Sequence, residues 1–201
     1  LRNNPQEALS LMESIDRSTI HENSELAYYA LIYSEACYYN RKLVDSDSLT
    51  SISVKYYNNR RDYDRRARAY FQHGMVMNLS KQYPEAIIAL MESLKSINNY
   101  GNLRLEGVVH RTMGDVYRAR YCYSNSYREY CHAYDCFKVL QLPYHAFYTK
   151  YNMGQAAAKM CNYEEAEKLF IEARDYSIKN NDIDLLCTVL HELCDLYLKQ
   201  E

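Results

Sequence analysis

The stretch GQAAAKMCNYEEAEKLFIEA, Gly154–Ala173, decides the fold. It sets a glycine (Gly154), an aromatic (Tyr163), a small residue (Ala166), a bulky one (Phe170) and a small one (Ala173) in fixed order. The same order recurs forty residues upstream in Gly114, Tyr123, Ser126, Tyr130 and Ala133, and again in Gly74, Tyr83, Ala86, Leu90 and Ser93. Five columns hold register and side-chain type across three units, the signature of an internal repeat. The spacing inside a unit dictates helix, turn, helix. Between Gly154 and Ala166 there is room for the end of one helix, a turn and the start of the next. A small residue on each helix lets the two backbones approach closely. Phe170 lies four residues beyond Ala166, on the same helical face, and packs back across the pair. Pro84 suits a first helical turn, and Glu85, Glu164 and Glu165 complement its positive end.

Weaker copies extend the step outward. Ser34 stands in the glycine column, with Leu43 at the turn and Ser46 in the alanine column; Cys194 occupies the glycine column at the other end, followed by Tyr197. The opening Asn4-Pro5-Gln6-Glu7-Ala8-Leu9 with Met12 and Ile15 reads as a second helix lacking its partner. Periodicity predicts helices over 4–16, 24–40, 44–58, 63–80, 84–98, 103–120, 124–138, 143–160, 164–179 and 183–199. The connections are short and polar, so a single solenoid over 1–201 is expected, of about four full helix pairs and a half-unit at each end. The half-units, and the start at Leu1 without an initiator Met, point to a piece of a longer array.

These columns match the tetratricopeptide signature, and Gly154, Tyr163, Ala166, Phe170 and Ala173 match it closely. The usual unit is 34 residues; here it is six longer, most of a turn for each helix. HEAT and armadillo repeats share the longer period without this glycine-to-alanine spacing. The resemblance implies an all-α fold, a right-handed α–α superhelix of antiparallel helix pairs that binds proteins or extended peptides. A narrower resemblance rests on NPQEALSLMESI at 4–15, ELAYYALIYSEA at 25–36, DSDSL at 45–49 and RARAYFQHGMV at 66–76. These look like the amino-terminal part of bacterial regulators in which such a domain follows an export signal and precedes a transmembrane helix and an output module. That likeness implies a sensing or scaffolding segment on the periplasmic side of the membrane. The alternative is a cytoplasmic tetratricopeptide regulator that binds a signalling peptide.

Composition narrows the function classes. Net charge is -2, with 24 basic against 26 acidic residues, so no global field attracts nucleic acid or an anionic membrane. No run of apolar residues is long enough to span a bilayer. No phosphate loop, His-Glu-x-x-His, Cys-x-x-Cys or nucleophile elbow is present, and neither an enzyme nor a cofactor is expected. Twenty-three tyrosines, against four phenylalanines and no tryptophan, read mainly as filling between helices. Seven cysteines without framework spacing predict free, mostly buried thiols. Cys187, His191 and Cys194 share a helical stripe but span two turns, about 10 Å of rise, too long for one zinc ion. The run Arg60–Arg68, with five arginines and two aspartates, reads as a solvated turn with local ion pairs.

The binding surface follows by register. In tetratricopeptide arrays the first helix of each pair lines the concave face. The matching positions are Tyr28, Leu31, Glu35 and Tyr38; then Arg68, Phe71, Met75 and Asn78; then Arg111, Asp115 and Arg118; then Tyr148, Tyr151 and Gln155; and finally His191 and Asp195. Aromatic and arginine side chains mixed with acids and amides suit an interface. Phe71 and Met75 stand where the family's carboxylate clamp wants polar groups, so chaperone-tail recognition is not expected.

Overall fold

The computed structural model describes residues 4–42 and 47–199. The turn expected at Leu43, with Ser46 and the start of the DSDSL segment, lies outside them. Among the described residues there are ten α-helices, a short 3-10 turn at Arg17–Thr19 that periodicity did not show, and no strand. The helices are α1 (Pro5–Glu13), α2 (Asn23–Tyr39), α3 (Asp47–Tyr57), α4 (Tyr63–Leu79), α5 (Tyr83–Ile97), α6 (Leu103–Ala119), α7 (Tyr123–Val139), α8 (Pro143–Lys159), α9 (Tyr163–Asn180) and α10 (Ile183–Leu198). The first stops three residues short of its expected end, and Ile15 beyond it is exposed. The chain divides into two compact units, one ending at Asn102 and one beginning at Leu103.

Within each unit the repeat columns are the core. Ala86, Leu90 and Ser93 in the first unit, and Ser126, Tyr130, Ala133, Ala166, Phe170 and Ala173 in the second, are all 0% exposed. The glycine column explains why. A Cβ added to Gly154 would sit 2.6 Å from Phe170 Cε1, one on Gly114 2.4 Å from Tyr130 Cε1, and one on Gly74 2.9 Å from Leu90 Cγ. Each glycine therefore faces the bulky residue of its own unit's second helix. Hydroxyls in the small columns tie the pairs polar-side as well: Ser93 Oγ donates to Ala67 O (2.8 Å) and Ser126 Oγ to Gly114 O (2.9 Å).

The turns share a device that glycine usually supplies. Arg41, Lys81, Tyr121 and Cys161 follow the first helix of each pair with φ between 54° and 60°, forty residues apart. Gly101, Gln141 and Asn181 follow second helices, also with positive φ. The residue after each of several left-handed positions returns its N–H to a carbonyl five residues back: Gln82 to Met77 O (2.9 Å), Cys122 to Tyr117 O (2.9 Å), Leu142 to Phe137 O (3.0 Å), Asn162 to Ala157 O (3.0 Å). This closing pattern satisfies the last carbonyls and reverses the chain within three residues.

The tyrosines divide between roles. Tyr29, Tyr57, Tyr130 and Tyr151 are buried, whereas Tyr28, Tyr121, Tyr144, Tyr148 and Tyr197 are exposed. The cysteines correct an expectation. Cys37 and Cys136 are buried and Cys131 half-buried, but Cys122, Cys161, Cys187 and Cys194 are exposed. The first two sit in turns, and the last two, seven residues apart, on the exposed face of α10. None of the seven forms a disulfide. Among the described residues no helix is long and apolar enough to cross a membrane.

Candidate recognition surface

In the first unit, the row expected from register falls on α2 and α4 and splits into two layers. Leu31 (0% exposed) packs with Ala27, Tyr57 and Ala69, so it belongs to the core and offers a ligand nothing. Phe71, at 3% exposed, is likewise internal, with Tyr38 set edge-on against it at 5.6 Å. Glu35 is buried yet paired: Arg68 grips its carboxylate through Nε–Oε1 (2.6 Å) and Nη2–Oε2 (2.5 Å), and also holds Asp64 at 3.1 Å. The carboxylate bonds raise the Arg68 pKa against the opposing effect of burial. This bidentate pair joins α2 to α4. Tyr28 stays exposed, with the Arg65 guanidinium 4.9 Å from its ring centroid. Met75 and Asn78 are half-buried.

The arginine run at 60–68 makes local contacts, as its composition implied. Arg65 pairs with Asp62 (3.1 Å), Arg60 lies over the Tyr56 ring (3.7 Å), and Arg66 bonds Ser96 Oγ (2.9 Å) and Asn58 O (3.1 Å).

In the second unit, the first helices α6, α8 and α10 carry a connected polar ladder. Tyr130 Oη, reaching through from α7, donates to Asp115 Oδ1 (2.7 Å) and accepts from Arg118 Nε (3.2 Å). Arg118 also contacts Asp115 Oδ1 and Gln155 Oε1, each at 3.4 Å. Gln155 Nε2 then donates to Tyr151 Oη (2.7 Å) and to Glu192 Oε1 on α10 (2.6 Å). Burial and the neighbouring carboxylates push both hydroxyls up, Tyr130 beside Asp115 and Tyr151 beside Glu192, so both remain protonated donors at neutral pH. Burial works against the Arg118 charge, but Tyr130 and Asp115 outweigh it and raise its pKa. Tyr151 is a correction to the expected surface: at 7% exposed its ring packs with Ala157, Phe170 and Val189, and only its hydroxyl serves the ladder.

Beside the ladder runs an aromatic wall. Phe137 and His145 stack at 5.1 Å, Tyr144 meets His145 at 5.6 Å, Tyr144 and Tyr148 stack at 6.2 Å, and Tyr148 meets Tyr151 at 6.0 Å. Arg111 lies against it. Burial, then Arg111 and Arg104, hold the His145 pKa below its usual value.

His191 and Asp195 approach each other at 4.0 Å on the exposed side of α10. Among the described residues no three His, Cys, Asp or Glu side chains converge as a metal site, and the Cys187–His191–Cys194 stripe is spread along the helix. Register missed two ladder members. Tyr130 comes from a second helix, and Glu192 lies one position beyond the column that holds His191; neither falls in the row that the repeat defines.

The helical pairs place the chain among tetratricopeptide-like solenoids. No family model matches the sequence, and no curated protein is similar enough to match it. Solved structures are similar in fold. Aspartyl phosphate phosphatase F from Bacillus subtilis superposes with a TM-score of 0.73 at 16% identity, over 93% of this chain and 48% of that one. Kinesin light chain tetratricopeptide-like repeats from Podosopora anserina give 0.68 at 13% identity, over 90% of each chain. A Rap protein complexed with competence and sporulation factor gives 0.52 at 16% identity, over 99% of this chain and 68% of that one. The chain spans about half the length of the phosphatase. At these identities the likeness is one of fold.

Proposed function

We propose that this chain is a non-enzymatic recognition scaffold that holds an extended peptide or a partner helix along its first-helix row. The single observation that carries the reading is the ladder Asp115–Arg118–Gln155–Glu192. It sets donors and acceptors in a continuous line over three successive first helices, half-exposed and flanked by the exposed rings of Tyr144 and Tyr148. Extended backbone needs such alternating partners, and the tyrosines supply large contact area at low conformational cost. A Rap protein of similar fold is complexed with a competence and sporulation factor, which supports the same use of the fold here. The phosphatase activity named for another similar structure is not carried over, because a shared fold does not transfer chemistry.

The parent we propose is a membrane-anchored bacterial regulator, with this segment sensing or scaffolding. An amino-terminal export signal and a downstream transmembrane helix in the full gene support it; a gene with neither removes it in favour of a cytoplasmic peptide-binding regulator.

Capture experiments with the chain as bait test the surface. Gln155→Lys, which places a cation in the ladder, is expected to weaken capture of a native partner at least tenfold. Asp135→Lys, on the exposed side of the second helix α7, is expected to leave it unchanged. Equal capture by both variants contradicts the assignment.

A further inference from the structure

Arg111 stands apart from the other recessed cations. Arg68, Arg118, Arg66, Arg174 and Lys150 each reach a carboxylate, an amide or a hydroxyl. Among the described residues Arg111 is the half-buried cation with no hydrogen bond or ion pair. Its contacts are the faces of two rings, Phe137 at 5.8 Å and Tyr148 at 5.9 Å from the guanidinium carbon. Ring faces attract a cation weakly and satisfy none of its five N–H donors. A recessed charge without a counter-ion is unfavourable, and proteins normally supply one. Instead the neighbouring charges here are alike: Arg104 lies one helical face-repeat earlier on α6, and both arginines press His145 toward its neutral form. The nearest acid on the same helix, Asp115, is already bonded to Tyr130 and Arg118.

We infer that Arg111 is the anchor of a carboxylate-binding subsite on the second unit's first-helix row, and that the segment it takes presents an acidic side chain there, with apolar neighbours against Tyr144 and Tyr148. The inference rests on the reading of this row as a peptide groove. A half-buried guanidinium that touches only two rings keeps its N–H donors unused, and a carboxylate can meet such a fork with two parallel bonds. One recessed guanidinium matches a single negative charge, and the stacked pair of exposed tyrosines supplies an apolar flank that a free inorganic anion has no use for.

The test needs no partner. N-acetylglutamate N-methylamide, its glutamine counterpart and inorganic phosphate are titrated into the whole chain, with NMR observation of the Arg111 Nε–H and the His145 ring. The glutamate compound is expected to give a saturable shift of Arg111 and to raise the His145 pKa, because a bound anion offsets the neighbouring cations. The glutamine compound is expected to bind at least tenfold more weakly. Arg111→Gln is expected to cost the glutamate compound a similar factor, and Arg111→Lys to retain part of the binding. An absent response to the glutamate compound, or equal binding of both amides, overturns the subsite. Phosphate binding tenfold tighter than glutamate overturns the carboxylate assignment. The glutamate–glutamine comparison stands even where a variant fails to fold. Loss of this titration leaves capture along the ladder untouched, while a normal titration with unimpaired capture by Gln155→Lys sinks the groove reading alone.

Discussion

At Gly114 two opposing effects of a single methyl group can be weighed. Alanine in place of a helical glycine favours the helix by about 1 kcal/mol. Here its Cβ would lie 2.4 Å from the ring of Tyr130, a side chain that is 0% exposed and bonded at its hydroxyl to Asp115. The ring cannot retreat, and overpacking of this kind costs about 1–3 kcal/mol. Gly114→Ala is therefore expected to lower stability by about 1 kcal/mol net, read as a fall in the urea midpoint at unchanged slope. A rise would mean that the ring is not fixed. His145 gives a second residue-scale expectation. Its folded pKa lies below the usual 6.5, so the unfolded chain takes up the proton first. The stability tied to His145 is full above about pH 6.5 and declines as pH falls below it. His145→Gln is expected to flatten that decline between pH 6.5 and 5; an unaltered pH profile would contradict the burial that causes it. The packing columns were legible in the sequence because three copies display the same contact three times. The depth of Leu31, Phe71 and Tyr151 was not. Positions 31, 71, 111, 151 and 191 share one register column, yet the structure buries three of them and leaves Arg111 half-exposed and His191 exposed, because depth depends on which neighbours cover each helix.

Helices themselves were read closely, with most ends within a residue or two of those observed, since their 3.6-residue periodicity and polar connections leave few alternatives. Turn chemistry was the part that sequence concealed. Among the described residues the left-handed turn positions are Arg41, Lys81, Tyr121, Gln141, Cys161 and Asn181, none a glycine, and Gly101 alone shows the usual choice. An ordinary residue in this conformation costs about 1–2 kcal/mol. Glycine removes that cost but loses about 0.5–1 kcal/mol through the freedom of the unfolded chain. Lys81→Gly, at an exposed position between α4 and α5 with φ 59°, is accordingly expected to stabilise by about 0.5–1 kcal/mol and to raise Tm by about 2 °C. A fall in Tm would show that the lysine side chain contributes more than its backbone costs. The ladder was half legible at this scale. Asp115, Arg118 and Gln155 lie in first-helix columns, while Tyr130 enters from α7 and Glu192 from one position off register.

For the molecule as a whole, the near-neutral charge, the abundance of half-exposed tyrosine and the ladder on α6, α8 and α10 all favour recognition of another chain. The claim that a partner lies along the first-helix row of the second unit is open to direct measurement. A photo-activated cross-linking residue placed at exposed Tyr148 or His191 samples that row, and one placed at exposed Asp135 or Lys168 samples the second helices. Partner cross-linked at positions 148 and 191 and absent from 135 and 168 is the predicted result; cross-linking of equal yield at all four, or confined to 135 and 168, would contradict it.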